Sequence, residues 1–425
     1  MSISKRKFFQ STATGAAGAL ALTTMPGCVH PGTSPGVPEP VGSLKPYPGE
    51  PEPISAEERL ERMEKARRLM VVNNLDAIFL DAGSSMFYFT GVRWHASERM
   101  LAAILPARGE IAWVCPAFEE QRLREFPGVG EHVRTWHEHE SPYQRVAQLL
   151  AHQGISGGRI GVEERARFFL VDGMRNLAPT AEFISADPIT AGCRMIKSAA
   201  ELALMQQAND ITIIAYRAVL QSLREGMTRD EFNGLCATAF GALGVEGGAF
   251  GQFGEGSALP HGSSKPRGLQ ESDVVLMDGG CSVEGYRSDI SRTTVFGRPS
   301  QRQRDVWDLE RRAQDAALAA ARPGAACEDV DAAARKVIVE GGFGPDYKYF
   351  THRVGHGIGL DGHEWTYLVR GNKTPLVPGM CFSNEPGIYI PGEFGVRLED
   401  CMTITEDGAR LFTRQSPAID EPFAS

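Results

Sequence analysis

Along residues 57–73, apolar side chains fall at Leu60, Met63, Ala66, Leu69 and Met70 with charges between them, the spacing of one helix face. Short apolar runs that read as strands follow at 77–80, 86–90, 101–105 and 111–114, then a helical stretch at 143–152 and another strand-like run at 159–162. Helices alternating with strands predict an α/β domain over residues 54–190. Arg194-Met195-Ile196-Lys197-Ser198 then opens a long helical pattern at 199–223. From Phe250 onward, strand-like segments bounded by glycine dominate, interrupted by helical patterns at 301–321 and 330–341. This second region, 191–425, reads as a mixed α+β domain.

The first 53 residues show neither pattern. Residues 1–30 read as an export signal, with Lys5, Arg6 and Lys7 ahead of a mildly apolar stretch from Thr12 to Met25. The start resembles a twin-arginine signal with Lys5 in place of the first arginine. Met25-Pro26-Gly27-Cys28 resembles a lipobox in which Cys28 would be acylated, with a plain cleaved signal as the alternative. Proline at 31, 35, 38, 40, 46, 48, 51 and 53 predicts an extended tether over 31–53. The expectation is an exported protein of the periplasm or cell envelope, touching a membrane only through a lipid on Cys28.

With 425 residues, 42% of them hydrophobic, the chain can bury two ordinary cores. A net charge of −9 gives no basic surface for nucleic acid. Seven further cysteines, Cys115, Cys193, Cys236, Cys281, Cys327, Cys381 and Cys401, are scattered without CxxC spacing and predict no disulfide.

The second region carries the candidate chemistry. An apolar run at 274–277 ends in Asp278, and Asp289 follows after a glycine-bearing segment, so two paired strands could bring both carboxylates together. Buried side by side they would resist ionisation unless something positive sits between them. His352, His356 and His363 lie in one glycine-studded stretch, Glu385 follows Phe382-Ser383-Asn384, and Glu399 follows Val396-Arg397-Leu398.

In order and spacing, Asp278, Asp289, His356, Glu385 and Glu399 resemble the dimetal ligands of the pita-bread peptidase family, which includes methionine aminopeptidase, aminopeptidase P, prolidase and the metal-free creatinase. The α/β domain upstream is similar to the prolidase, aminopeptidase P and creatinase branch. The resemblance implies a creatinase-like N-terminal domain and a pita-bread catalytic domain binding two divalent metal ions. Asp278 would hold one ion, His356 and Glu385 the other, and Asp289 and Glu399 would bridge, with Glu385 as general base. His363 would bond the substrate carbonyl or oxyanion, His352 would line the prolyl pocket, and His261 would lie near the scissile bond; Tyr389 and Arg397 fill further family positions. The oxygen-rich donor set suits Mn²⁺, with Co²⁺ or Zn²⁺ as alternatives. The implied reaction is hydrolysis of Xaa-Pro bonds in di- or oligopeptides, with prolidase favoured over aminopeptidase P and a non-catalytic or creatinase-like member as the more distant alternative.

A dipeptidase needs a cation for the free carboxylate, which Arg370 or Arg397 could supply; Arg397 could instead orient Glu399. Arg93-Trp94-His95 follows a Phe-Tyr-Phe-Thr-Gly run similar to a family segment that approaches a neighbouring subunit, which implies a homodimer. Trp136-His137-Glu138-His139-Glu140 reads as solvated surface, and Gly254-Glu255-Gly256 lacks the context of a dinucleotide fingerprint.

Overall fold

The computed structural model describes residues 36–265 and 267–423. The expected export signal and Cys28 lie outside them. Residues 38–47 depart from the expected tether: α1 (Glu39–Gly42) is a single helical turn with Pro38 at its N-cap and Pro40 inside its first turn. Proline is tolerated there because those N–H groups have no intrahelical acceptor to lose. Val41 is buried, and the Tyr47 N–H donates to the Leu243 carbonyl at 3.0 Å, so this segment packs on the catalytic region.

α2 (Ala56–Val72) starts where Ser55 Oγ accepts the Glu58 N–H at 3.1 Å. The apolar segment 77–80 becomes β1 (Ala77–Asp81), buried throughout. Residues 86–90 are not a strand; they lie in α3 (Ser84–Thr90). Their aromatic composition suits either state, but Gly91 takes the left-handed conformation (φ 77°) and returns its N–H to the Phe87 carbonyl, closing a helix C-terminus. The turn so formed buries Met86, Tyr88 and Phe89 together, and this tertiary packing overrides strand propensity.

The domain continues through β2 (Ala102–Pro106), β3 (Ala112–Pro116), α4 (Glu120–Leu123), β4 (Val133–Trp136), α5 (Pro142–His152), β5 (Arg159–Val162), α6 (Phe168–Leu177), β6 (Glu182–Ser185) and α7 (Asp187–Arg194). The strands form one mixed sheet in the order β4-β3-β2-β1-β5-β6. The expected boundary at residue 190 falls inside α7, whose buried Ile189 and Cys193 belong to a core cluster shared by both domains while Arg194 reaches the next domain.

The second region opens with α8 (Ala199–Leu220) and α9 (Arg229–Ala242), each begun by a capping box, Ser198 with Glu201 and Thr228 with Glu231. Three antiparallel strands, β7 (Glu246–Phe253), β8 (Val274–Val283) and, after the short β9 (Tyr286–Arg287), β10 (Ile290–Val295), form a sheet in the order β10-β8-β7. The helices α10 (Gln301–Ala320) and α11 (Cys327–Glu340) follow. A second antiparallel sheet, in the order β12-β11-β13-β16-β17, is built from β11 (Gly355–Gly357), β12 (Glu364–Leu368), β13 (Cys381–Asn384), β16 (Asp400–Thr405) and β17 (Gly408–Leu411). β14 (Gly387–Ile390) and β15 (Phe394–Arg397) form a separate two-stranded hairpin, and β15 packs against β8 and β10. The result is the α/β plus α+β arrangement expected. All seven cysteines among the described residues are buried free thiols.

Candidate metal centre

Each acidic ligand candidate lies in or at the end of a strand. Asp278 sits in β8 after four buried apolar residues, and its partner across the ladder is Ser291 of β10. Asp289 immediately precedes β10. The strands can close here because Gly280 has no side chain: a Cβ would lie 2.2 Å from the Ser288 carbonyl oxygen. His356 is the middle residue of β11, where a Cβ on its neighbour Gly355 would lie 2.0 Å from the Ser383 carbonyl oxygen. Glu385 leaves the end of β13 with its N–H on the Val354 carbonyl at 2.8 Å, and Glu399 lies between β15 and β16 with its N–H on the Ser291 carbonyl at 3.1 Å.

These elements bring all five expected ligands, and His363, into one cluster. Ligand atoms of three sets lie within 4.8 Å of one another: Asp278, Asp289 and Glu399; His356, Glu385 and Glu399; and Asp289, His356 and His363. His356 Nε2 is 3.2 Å from Glu385 Oε1 and 3.8 Å from Asp289 Oδ2. The electrostatics are those of an acid-rich site. Burial and the adjacent Asp278 charge push Asp289 up to about 8, and burial with Asp289 beside it pushes Glu399 well up. Burial also pushes Glu385 upward, but the His356 hydrogen bond and charge outweigh it and bring the carboxyl down to about 2. One buried oxygen, Glu399 Oε1, has no hydrogen-bond partner among the described residues. Crowded hard oxygen donors, one imidazole and an unpartnered buried carboxylate oxygen fit divalent cations.

Arg397 is buried among these acids. Its Nη2 pairs with Asp278 Oδ2 at 2.6 Å, its Nε donates to Ser291 Oγ at 2.9 Å, and its Nη1 reaches Tyr389 Oη at 3.0 Å and the Pro260 carbonyl at 3.1 Å. It therefore orients Asp278 directly and is not free to clamp a substrate carboxylate; its expected role on Glu399 passes through Ser291. Arg370 is exposed and paired with Asp346 at 3.0 Å.

Tyr389 Oη also lies 2.8 Å from His352 Nε2, while His352 Nδ1 faces the Arg353 carbonyl at 2.8 Å. A neutral His352 satisfies both contacts by donating from Nδ1 and accepting at Nε2, in keeping with a pKa lowered chiefly by burial. His363 stacks on His356 with centroids 3.8 Å apart and is held neutral at this face, burial and the His356 charge bringing it down to about 4. His261 is exposed in the turn whose Pro260 carbonyl Arg397 holds, outside the ligand sets. His137, Glu138 and His139 are exposed, as expected of a surface segment.

Two serines were missed in the sequence. Ser291 Oγ lies 3.0 Å from Asp278 Oδ1 and 2.7 Å from Glu399 Oε2. Ser383 Oγ accepts the His356 N–H at 3.0 Å and donates to Glu385 Oε1 at 3.2 Å. The sequence singles out neither: Ser291 opens a run of four polar residues in β10, and Ser383 is one of two polar residues at the end of β13. Behind them, the fully buried Arg292 donates to Asp400 Oδ1 at 2.7 Å and to the Glu399 carbonyl at 2.8 Å.

The fold and the acid-rich centre define a divalent-metal hydrolase class. Residues 203–406 match the metallopeptidase family M24, and residues 62–196 match the creatinase/prolidase N-terminal domain. The chain is 31% identical over 370 residues to the Xaa-Pro dipeptidase of Lactobacillus delbrueckii subsp. lactis, covering 84% of this chain and 98% of that one. Among solved structures it is similar to dipeptidase PepE from Mycobacterium ulcerans, with a TM-score of 0.80 and 33% identity over 85% of this chain and 97% of that one. It is also similar to an X-Pro aminopeptidase from Thermotoga maritima, with a TM-score of 0.70 and 26% identity over 82% and 97% of the two chains. The protein belongs to the M24 metallopeptidase family, in the branch that carries a creatinase/prolidase N-terminal domain.

Proposed function

We propose that this protein hydrolyses Xaa-Pro dipeptides with two divalent ions, Mn²⁺ before Co²⁺ or Zn²⁺. The observation that carries the reading is that Glu399 closes on Asp278 and Asp289 in one ligand set and on His356 and Glu385 in another, so one carboxylate faces two neighbouring donor groups. Asp278 on one side and His356 with Glu385 on the other complete the donor set. Bound there, the ions would polarise the scissile carbonyl and acidify the attacking water.

The chain's own residues do the rest. Glu385, ionised near neutral pH, accepts the proton of the attacking water and returns it to the leaving prolyl nitrogen. His363, neutral, donates a hydrogen bond to the oxygen on which charge develops. Tyr389 and His352 border the centre on the Arg397 side, where the proline ring would lie.

Hydrolysis of Ala-Pro and Ala-Pro-Gly, each with and without chelator, tests the reading. Cleavage of Ala-Pro, lost to chelator and restored best by Mn²⁺, is the expected result; an undiminished rate in chelator overturns it. A second reading, an Xaa-Pro aminopeptidase, is favoured by one observation, the commitment of both Arg370 and Arg397 to internal ion pairs. Cleavage of the tripeptide would establish it.

We further propose that the chain is exported and held to a membrane by a lipid on Cys28, and that it acts as a homodimer. Release of a Cys28→Ser variant into the soluble fraction tests the anchor, and the mass in solution tests the dimer.

A further inference from the structure

The loop carrying His363 is gripped from the N-terminal domain. Asp361 and Glu364, which flank His363, are both buried and lie outside the ligand sets. Arg194, at the end of α7, donates to Asp361 Oδ2 at 2.6 Å, to Glu364 Oε1 and to Ser85 Oγ at 3.1 Å. Lys197 Nζ donates to Glu364 Oε2 at 3.1 Å. Two acids and two bases already balance. Arg165, in the segment between β5 and α6, adds a third cation whose side chain is 50% exposed.

What Arg165 adds is therefore not neutralisation but reach. Its Nη1 donates to Asp361 Oδ1 at 2.7 Å, and its Nη2 points to the backbone carbonyl of His363 at 3.4 Å. Ser84 Oγ, at the start of α3, joins it on Asp361 Oδ1 at 2.7 Å. Within its own domain the loop is tied upstream of His363: Ile358 donates to the Cys381 carbonyl at 3.2 Å, and Gly359 donates to the Asp361 carbonyl at 3.1 Å and accepts the Arg287 N–H at 2.9 Å. Arg287 Nε donates to the Leu360 carbonyl at 3.3 Å, and the Asp361 N–H donates to Glu364 Oε1 at 3.0 Å. Arg165, from the N-terminal domain, adds a bond to the carbonyl of His363 itself, the residue whose ring stacks on His356.

We infer that Arg165, acting through Asp361 and the His363 carbonyl with Ser84 beside it, is a positioning residue that sets the place of the His363 imidazole. The kinetic consequence rests on the Xaa-Pro reading; the grip does not.

The test uses the full chain with Arg165→Ala and, separately, Ser84→Ala. Amide hydrogen exchange across 358–364 is measured alongside kcat and KM for Ala-Pro with Mn²⁺. Because Arg165 is half exposed and the buried charges balance without it, its removal leaves the fold in place. Exchange should quicken ~5-fold or more, and kcat should fall ~10-fold with KM within about 2-fold. In a His363→Ala background, Arg165→Ala should cost less than about 2-fold, since its effect runs through that ring. Unchanged exchange, unchanged kcat, or the same ~10-fold loss in the His363→Ala background would each overturn the inference. If the parent enzyme fails to cleave Ala-Pro, the Xaa-Pro reading falls, and the exchange rates alone decide the grip.

Discussion

The metal-centre carboxylates and the Asp361–Glu364 cluster are both buried and acidic, yet only the second carries its own counter-charges. At the centre, Asp278, Asp289, Glu385 and Glu399 face a single arginine, Arg397, and one histidine ligand, His356. In the cluster, Arg194 and Lys197 match Asp361 and Glu364 one for one. The consequence appears in the carboxyls. Asp289 is pushed up to about 8, chiefly by burial and Asp278, whereas Glu364, which burial alone would raise, is brought down to about 2 by Arg194 and Lys197. A balanced buried cluster holds structure together; an acid-rich one is completed by cations from outside.

Four substitutions or titrations would break or sharpen that contrast. The largest effect is expected of Glu385→Gln, which keeps a donor oxygen but cannot accept a proton. Turnover of Ala-Pro should fall on the order of 10³-fold while calorimetry still finds bound metal. Arg194→Met comes next, because it removes the one cation shared by both buried carboxylates and leaves Glu364 to Lys197 and Asp361 to the half-exposed Arg165. Urea unfolding should show a loss of about 3–5 kcal/mol, with or without metal.

The pH dependence of stability should then differ in sign between the two regions. Glu364 is held below its unfolded value, so its contribution is present above about pH 4 and disappears as pH falls toward about 2, a loss of about 3 kcal/mol. Asp289 is held above its unfolded value, so the metal-free protein should lose stability as pH rises from about 4 to about 8. Metal should erase that second slope and leave the first, which melting curves in chelator and in Mn²⁺ would show. The smallest effect is Asp289→Asn, which replaces a carboxyl that must stay protonated against its unfolded tendency by a neutral amide. It should stabilise the metal-free protein by about 1 kcal/mol, and a destabilised metal-free variant would contradict the acid-crowding account.

The ligands were legible through their order and spacing: Asp278 follows four apolar residues inside β8, and Glu385 and Glu399 stand just past the ends of β13 and β15. The seryl partners were not, since Ser291 and Ser383 matter through which face of a strand they occupy, and that is set by register. The grip on His363 was invisible for another reason. Arg194 and Glu364 are brought together by domain packing across 170 positions of sequence, and no local pattern records it. Residues 84–90 and 38–47 misled in opposite ways: an aromatic run suited to a strand was taken by a helix that could bury it, and a proline-rich segment kept one turn because its prolines fell at the helix start.

The seven buried cysteines bear on where such a protein can work. Burial pushes the Cys115 and Cys236 thiols up to about 12, and those of Cys193, Cys327 and Cys381 to about 11, so almost none is thiolate near neutral pH. Disulfide exchange and peroxide attack both need that anion and an open approach. The cysteines among the described residues are thus held as buried thiols that resist exchange and oxidation in reducing and oxidising surroundings alike.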